Sequence, residues 1–340
     1  MDWFERITGF PEGPYEETQA ALSVVDGRLR RRGAGYSYGV GTLSLLSLAE
    51  LRSQALVARR SGPSRLSIVQ GDVRALHRAP ENRGALFQVA SQFNLLEMVG
   101  PDISPEDGVT RYAHDRTQGP ACAMAAGAAT IYRNYLVPVD GEFGQSADRQ
   151  LDGLADLGRA LATRLGAHVS DLWSMRNGYA LPTRDGLSEI HQHLQAADAV
   201  TLDALRGLLR VGLHVDVEVT DGPAPGPRVS QIFCSALPVA YGRHPAASWA
   251  PFASLVLEAA YEATVLAGVL NAARGASNRV LLTRLGGGAF GNVDAWIDAA
   301  LLRALSLVGE RDLDVVIVSY GPPAPALREV GRTSGLDAPQ

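Results

Sequence analysis

The 340-residue chain contains no lysine: all 31 of its basic residues are arginine. That absence excludes every mechanism built on a lysine amine, including a Walker-type phosphate loop, a protein kinase site and a pyridoxal Schiff base. Arginine can still bind phosphate bidentately, and codon bias in a GC-rich genome is the plain explanation for the absence. Cysteine is scarce too. Cys122 and Cys234 are too few for a disulfide framework or a cysteine-rich zinc site, and they fit a reducing, cytoplasmic setting. No apolar run reaches the roughly 18 to 20 residues of a membrane span. The segment Met1 to Arg6 lacks the basic-then-apolar pattern of a secretory signal. A net charge of −5 gives no bulk electrostatic case for nucleic acid. What is present is a core, with 46% hydrophobic against 20% charged residues, on a chain long enough for one large or two smaller domains.

Hydrophobic periodicity predicts alternating strands and helices. A helix is expected near Ser47 to Ala58, and strands at Arg65 to Gln70 and Ala85 to Ala90, the second nearly continuous in apolar residues as in a covered sheet. A small-residue helix is expected across Ala121 to Tyr135, and residues 145 to 210 read as helical. Strand-like runs at Leu213 to Val219 and Val229 to Leu237 flank a Pro/Gly turn at Gly222 to Pro227. A helix over 252–273, a strand at Arg279 to Leu285, a helix at Asp294 to Leu307 and a strand at Asp314 to Ser319 follow. The alternation implies an α/β layered fold with a largely parallel sheet. Near the start, Gly33-Ala34-Gly35 reads as a turn, and Arg28, Arg30, Arg31 and Arg32 as a solvated basic face.

The densest signal is Gly286-Gly287-Gly288-Ala289-Phe290-Gly291-Asn292, between a strand and a helix opening near Asp294. Glycines there let the backbone approach a ligand closely. Free N–H groups at a strand-to-helix turn favour an anion such as a pyrophosphate, with Phe290 offering an apolar surface beside it. The dinucleotide fingerprint is not met, because no acidic residue follows about 20 positions on.

This strand, loop and helix resemble the diphosphate loop of macrodomains, nearest the microbial poly(ADP-ribose) glycohydrolase-like branch, whose loop commonly reads Gly-Cys-Gly-Val-Phe-Gly-Asn. Three further segments agree in order. Val69-Gln70-Gly71-Asp72-Val73 is similar to the Gly-Asp-Ile element, which implies that Asp72 accepts a hydrogen bond from an adenine amino group. Leu86 to Asn94 is similar to the Leu-Asn-Phe-Ala-Ser-Ala-x-Asn strand and turn, which places Ser91 in the site and Asn94 at the distal ribose. Ile232 to Pro238 resembles the Thr-Cys-Ala-Ala-Pro strand. The resemblance spans about residues 65 to 320. It implies a three-layer α/β/α sandwich with a mixed, mainly parallel sheet (domain 65–335), a helical insertion at about 140–210, and residues 1–64 as an extension packed on the core. It also implies ADP-ribose or an ADP-ribosylated macromolecule as partner, hydrolysis of an ADP-ribosyl linkage, and no required metal or cofactor. A non-catalytic reader of ADP-ribose or a related nucleotide is the alternative.

The chain departs from that branch at the expected catalytic segment. No glycine run follows Asn94, and Asp115-Arg116-Thr117-Gln118 stands where the branch has Gln-Glu-Glu. Glycosidic cleavage needs a carboxylate to protonate the leaving group or orient water beside an oxocarbenium-like centre. Glu97 and Asp115 are the local candidates, with Gln118 beside them. Capping of the following helix by Asp115 or Thr117 is the structural alternative, and Pro120 suits its first turn.

Leu213-His214-Val215-Asp216-Val217-Glu218 is a second constellation. Strict strand alternation puts His214, Asp216 and Glu218 on one face, as a hydrogen-bonded row, a hard-metal site or the wet side of an edge strand. Cys234 is expected to be packed core. Arg176-Asn177-Gly178-Tyr179 reads as a turn, with Tyr179 a possible stacking partner for adenine.

Overall fold

A computed structural model describes residues 1–31, 37–58 and 60–336; Arg32 and the Gly33-Ala34-Gly35 turn lie outside the described residues. Seven strands form the central sheet: β1 (Thr42–Ser47), β2 (Arg65–Gln70), β3 (Leu86–Ala90), β4 (Arg210–Glu218), β5 (Arg228–Cys234), β6 (Arg279–Leu282) and β7 (Asp314–Ser319), in the order β1-β4-β5-β3-β6-β7-β2. From β5 to β2 every pairing is parallel, and β4 runs antiparallel to both of its neighbours. The sheet is therefore mixed and mainly parallel.

Helices cover both faces, which explains why the inner strands are apolar without alternation. On one face Leu86, Ile232, Val280, Leu282, Val315 and Ile317 pack with α1 (Leu48–Val57) and, further along the chain, α5 (Ala246–Ala273) and α6 (Asp294–Ser306). On the other, Phe87, Val89, Phe233, Leu281 and Val316 meet α2 (Val73–Arg78), α3 (Gln118–Ala125) and α4 (Gly127–Tyr135). The chain is thus a three-layer α/β/α sandwich. α5 is long and apolar enough to cross a membrane, yet 78% of its most apolar stretch is buried as the core helix of one layer. The sequence shows no such uninterrupted run because Glu258, Glu262 and Asn271 punctuate it.

Four expectations are refined. Residues 1–64 are more than a packed extension: they supply the edge strand β1 and helix α1, while Trp3, Phe4, Leu22 and Leu29 bury against Ile131 and Tyr135 of α4. The helix expected over 121–135 breaks at Ala126, where Thr220 is wedged in. The Thr220 N–H donates to the Ala125 carbonyl at 2.9 Å, and its Oγ1 accepts from the Gly127 N–H at 2.8 Å. The insertion is not purely helical. Between helices Ala155–Leu165 and Arg184–Ala196 lies a hairpin, Trp173–Arg176 with Tyr179–Pro182, turning at Asn177 (φ 46°) and Gly178 (φ 78°), a pair suited to a tight hairpin turn. Finally, β4 carries a bulge between His214 and Val217, with Asp216 at φ 57°. The extra residue breaks the period-2 alternation.

Candidate active site

Ligands of open α/β sheets sit beyond the carboxyl ends of the strands, and a groove of three adjoining chambers occupies that end here. The middle chamber, about 150 Å³, lies between the 286–290 loop and a wall of Ser91, Gln92, Glu97, Met98 and Thr117 to Pro120. The second, about 110 Å³, is lined by Gly71, Asp72, Val73, Arg116 and Tyr320, and meets the first at Thr117, Gln118 and Thr283. The third, about 160 Å³, adds Arg111, Tyr112 and His114 and shares Glu97, Val99 and Asp115 with the middle one.

The glycine loop divides its amides into two sets. The N–H groups of Gly287, Gly291 and Asn292 donate to the loop's own carbonyls, of Arg284, Gly288 and Gly286. Those of Gly286, Gly288, Ala289 and Phe290 donate to no protein acceptor among the described residues, and these same four residues line the chamber. Gly286 needs to be glycine: its φ is 75°, and a Cβ there would lie 2.5 Å from Ala236 Cβ. A Cβ at Gly288 would meet no atom within 4 Å, so that side of the residue faces open space. The loop is braced from below. The Tyr261 hydroxyl, fully buried on α5, donates to the Thr283 carbonyl at 2.7 Å and accepts from the Leu285 N–H at 2.8 Å. Asn292, buried, donates through Nδ2 to the Leu237 carbonyl at 2.8 Å and faces away from the chamber. Arg284 spans the loop, bonding Asp298 at 2.5 Å and Asp294 at 2.8 Å.

Glu97 is 2% exposed and lines both the middle and third chambers. Burial pushes its carboxyl up to about 7, against the lowering effect of Arg133, whose guanidinium lies 3.4 Å away and is itself fully buried over the Phe233 ring. Glu97 Oε2 has no hydrogen-bond partner among the described residues. Asp115 is half-buried in the same wall, its Oδ1 accepting from the Thr117 N–H at 2.8 Å. Gln118 lines the groove, but its carboxamide is committed: Oε1 accepts from the Ala90 N–H at 2.9 Å and Nε2 donates to the Gln88 carbonyl at 2.7 Å. Those bonds tie α3 to the end of β3, an approach that Gly119 permits, since a Cβ there would stand 2.0 Å from the Ala90 oxygen. Asp72 stands exposed in the second chamber and caps α2 through the Arg74 N–H at 2.9 Å. Ser91, buried, lines the middle chamber and donates to the Gln92 carbonyl at 3.0 Å.

Other sequence candidates lie elsewhere. Asn94 is fully buried, donates to Gln150 Oε1 at 2.9 Å and accepts from the Leu96 N–H at 3.1 Å. The chain reverses at Leu95 (φ 64°) immediately after it, so Glu97 reaches the groove and Asn94 does not. The His214, Asp216 and Glu218 row does not form, because the bulge sends its members apart. His214 is fully buried near Tyr132 and Phe233, and burial beside Arg133 holds its ring well below the usual imidazole range. Asp216 is outward and bidentate to Arg274 at 2.7 and 3.0 Å. Glu218 is buried and accepts from the Gly39 N–H at 2.7 Å and the Gly226 N–H at 3.3 Å. Among the described residues no group of three His, Cys, Asp or Glu side chains is arranged to hold a metal. Cys122 and Cys234 are both buried.

Tyr179 belongs to the loop side of the groove, away from Asp72. Its ring packs 5.3 Å from Phe290 and 5.1 Å from Tyr241, and its hydroxyl donates to the Met98 carbonyl at 2.7 Å. The insertion hairpin thereby walls the middle chamber. Tyr241, Tyr261, Arg133 and Arg284 carried no motif in the sequence: each acts through a contact 14 to 142 residues distant.

No protein-family model and no curated protein matches the chain. Among solved structures it is similar to poly(ADP-ribose) glycohydrolase from Deinococcus radiodurans in complex with ADP-ribose, at 13% identity and a TM-score of 0.45, over 86% of this chain and 93% of that one. It is similar also to poly(ADP-ribose) glycohydrolase from Thermomonospora curvata, at 15% identity and a TM-score of 0.42, over 94% and 95% of the two chains, and to the latter protein bound to the inhibitor ADP-HPD, at 15% identity and a TM-score of 0.43, over 93% and 94%.

Proposed function

We propose that the chain binds ADP-ribose along this groove and hydrolyses an ADP-ribosyl linkage. The observation that carries the reading is the partition of the glycine loop: the four of its residues that line the chamber are the four whose N–H groups have no protein acceptor among the described residues. Amides left free at a strand-to-helix turn suit a diphosphate. The adenine end then lies in the chamber of Asp72, and the distal ribose near Phe290 and Glu97. Cleavage breaks the glycosidic C–O bond and adds water, giving ADP-ribose and the free acceptor. Glu97, held partly protonated near neutral pH by its burial, delivers a proton to the leaving oxygen. Asp115, in the same wall, takes the proton of the attacking water.

Binding is tested by titrating ADP-ribose calorimetrically and by a rise in Tm at saturating ligand. No heat and no shift at millimolar ligand would end the proposal. Catalysis is tested by incubating an ADP-ribosylated protein with the native chain and with Glu97→Gln and Asp115→Asn. Release by the native chain that either variant abolishes supports hydrolysis. A non-catalytic reader is the second reading, favoured by one observation: Glu97 gives Oε1 to Arg133 and keeps Oε2 buried. Binding without release would establish it.

A further inference from the structure

The second chamber sets Arg116 against Asp72, and the groove along α2 beside it adds more positive charge than an unmodified adenosine requires. Arg116 lines that chamber, is exposed, and makes no ion pair or hydrogen bond among the described residues. From the same chamber α2 runs outward from its cap at Asp72. Arg74 and Arg78, four residues apart and so on one helix face, open onto a wide groove with Arg6 and Asp221. Asp221 is the sole acid among the described residues that line that groove. It takes Arg74 bidentately at 2.7 and 2.8 Å and lies 3.7 Å from Arg78 and 3.9 Å from Arg6. The guanidinium groups of Arg6 and Arg78 remain half exposed. Counting Arg6, Arg74, Arg78 and Arg116 against Asp72 and Asp221 leaves two uncompensated positive charges in a chain whose net charge is −5. The six residues of α2 span about 9 Å, with Asp72 capping its start and Arg78 at its end.

We propose that the preferred nucleotide carries a further phosphate monoester on its adenosine ribose, bound by Arg116 and drawn by the Arg74–Arg78 face. The inference rests on the placement of adenosine at Asp72 given above and adds the substrate class. An adenine ring alone would leave Arg116 only a stacking surface. A phosphate on the 2′ or 3′ hydroxyl offers it a bidentate, charge-assisted partner, the interaction for which a guanidinium is best shaped.

The test compares affinities for ADP-ribose and for its 2′-phosphate and 3′-phosphate derivatives at 50 mM and 300 mM salt, on the native chain and on Arg116→Ala, Arg116→Glu and Arg78→Ala. The expected result is that one phosphorylated isomer binds about tenfold tighter than ADP-ribose at low salt, with the advantage shrinking at high salt. The ratio of the two affinities falls to near one in Arg116→Ala, inverts in Arg116→Glu, and is partly reduced in Arg78→Ala. Arg116 is exposed and unpaired, so its variants are expected to melt with the native chain, and a circular dichroism melt checks this. Equal affinity of the native chain for all three ligands overturns the inference and leaves the ADP-ribose reading standing, as does a preference that Arg116→Glu retains. Binding of none of them overturns both.

Discussion

The Glu97 carboxylate and the Arg133 guanidinium meet at 3.4 Å with side chains 1% and 0% exposed. A pair so dry costs several kcal/mol per ion to desolvate, and removing one partner strands the other. Glu97→Ala is therefore expected to lose about 3 kcal/mol of stability, measured by urea unfolding. A smaller loss for Glu97→Gln, which keeps an acceptor for Arg133, would mark the pair as the cause.

The same pair sets a pH dependence. Burial raises Glu97 to about 7 in the folded chain, above the ordinary carboxyl value. Its proton thus binds the folded form more tightly, so its contribution is fully present below the unfolded value and fades as pH climbs through about 7. Unfolding free energy followed from pH 5 to 8 should decline with a component that Glu97→Gln lacks. If Glu97 is the proton donor, the release rate falls over the same limb, and a rate rising through pH 7 would remove it from that role.

Two glycine substitutions separate shape from binding. Gly288→Ala adds a methyl to open space on the chamber side. It should leave Tm within a degree or so and weaken ADP-ribose binding about tenfold by crowding the free amides. Gly286→Ala meets a left-handed φ and Ala236, and should cost about 1–3 kcal/mol of stability. Calorimetry and thermal melts on both variants distinguish the two effects.

Gln118 lines the groove, yet its two carboxamide atoms hold the Ala90 N–H and the Gln88 carbonyl. Gln118→Ala is expected to lower stability by about 1–3 kcal/mol through the unpaired strand end. A full loss of turnover with Tm unchanged would instead make it a reacting group.

Glu218→Ala should destabilise by a similar amount, because the Gly39 and Gly226 amides lose their acceptor. A chelator should leave both binding and release unaltered. Activity abolished by chelation would restore a metal role that the dispersal of His214, Asp216 and Glu218 otherwise removes.

Local signals account for what was legible in the chain. The parallel strands at Arg65 and Asp314 show as apolar runs because both faces are covered, and the glycine loop shows in part because Gly286 and Gly291, at φ 75° and 69°, require glycine. Asn177-Gly178 announced a turn for the same reason. What stayed hidden depends on distant partners. The β4 bulge arises where Asp216 finds Arg274, and no period-2 pattern encodes it. Asn94 looked like a ribose ligand until Gln150, from the insertion, took its amide. The Tyr261 brace under the loop joins residues 22 and 24 positions apart on separate layers.

The donors that Gly286, Gly288, Ala289 and Phe290 leave without a protein acceptor among the described residues are peptide N–H groups, not side chains. Reagents that alkylate, acylate or oxidise amino-acid side chains have nothing to attack there, and point substitution can hide or tilt these donors without deleting them. Inhibitors aimed at that part of the groove would have to compete by shape, and escape from them would have to come from its aromatic wall.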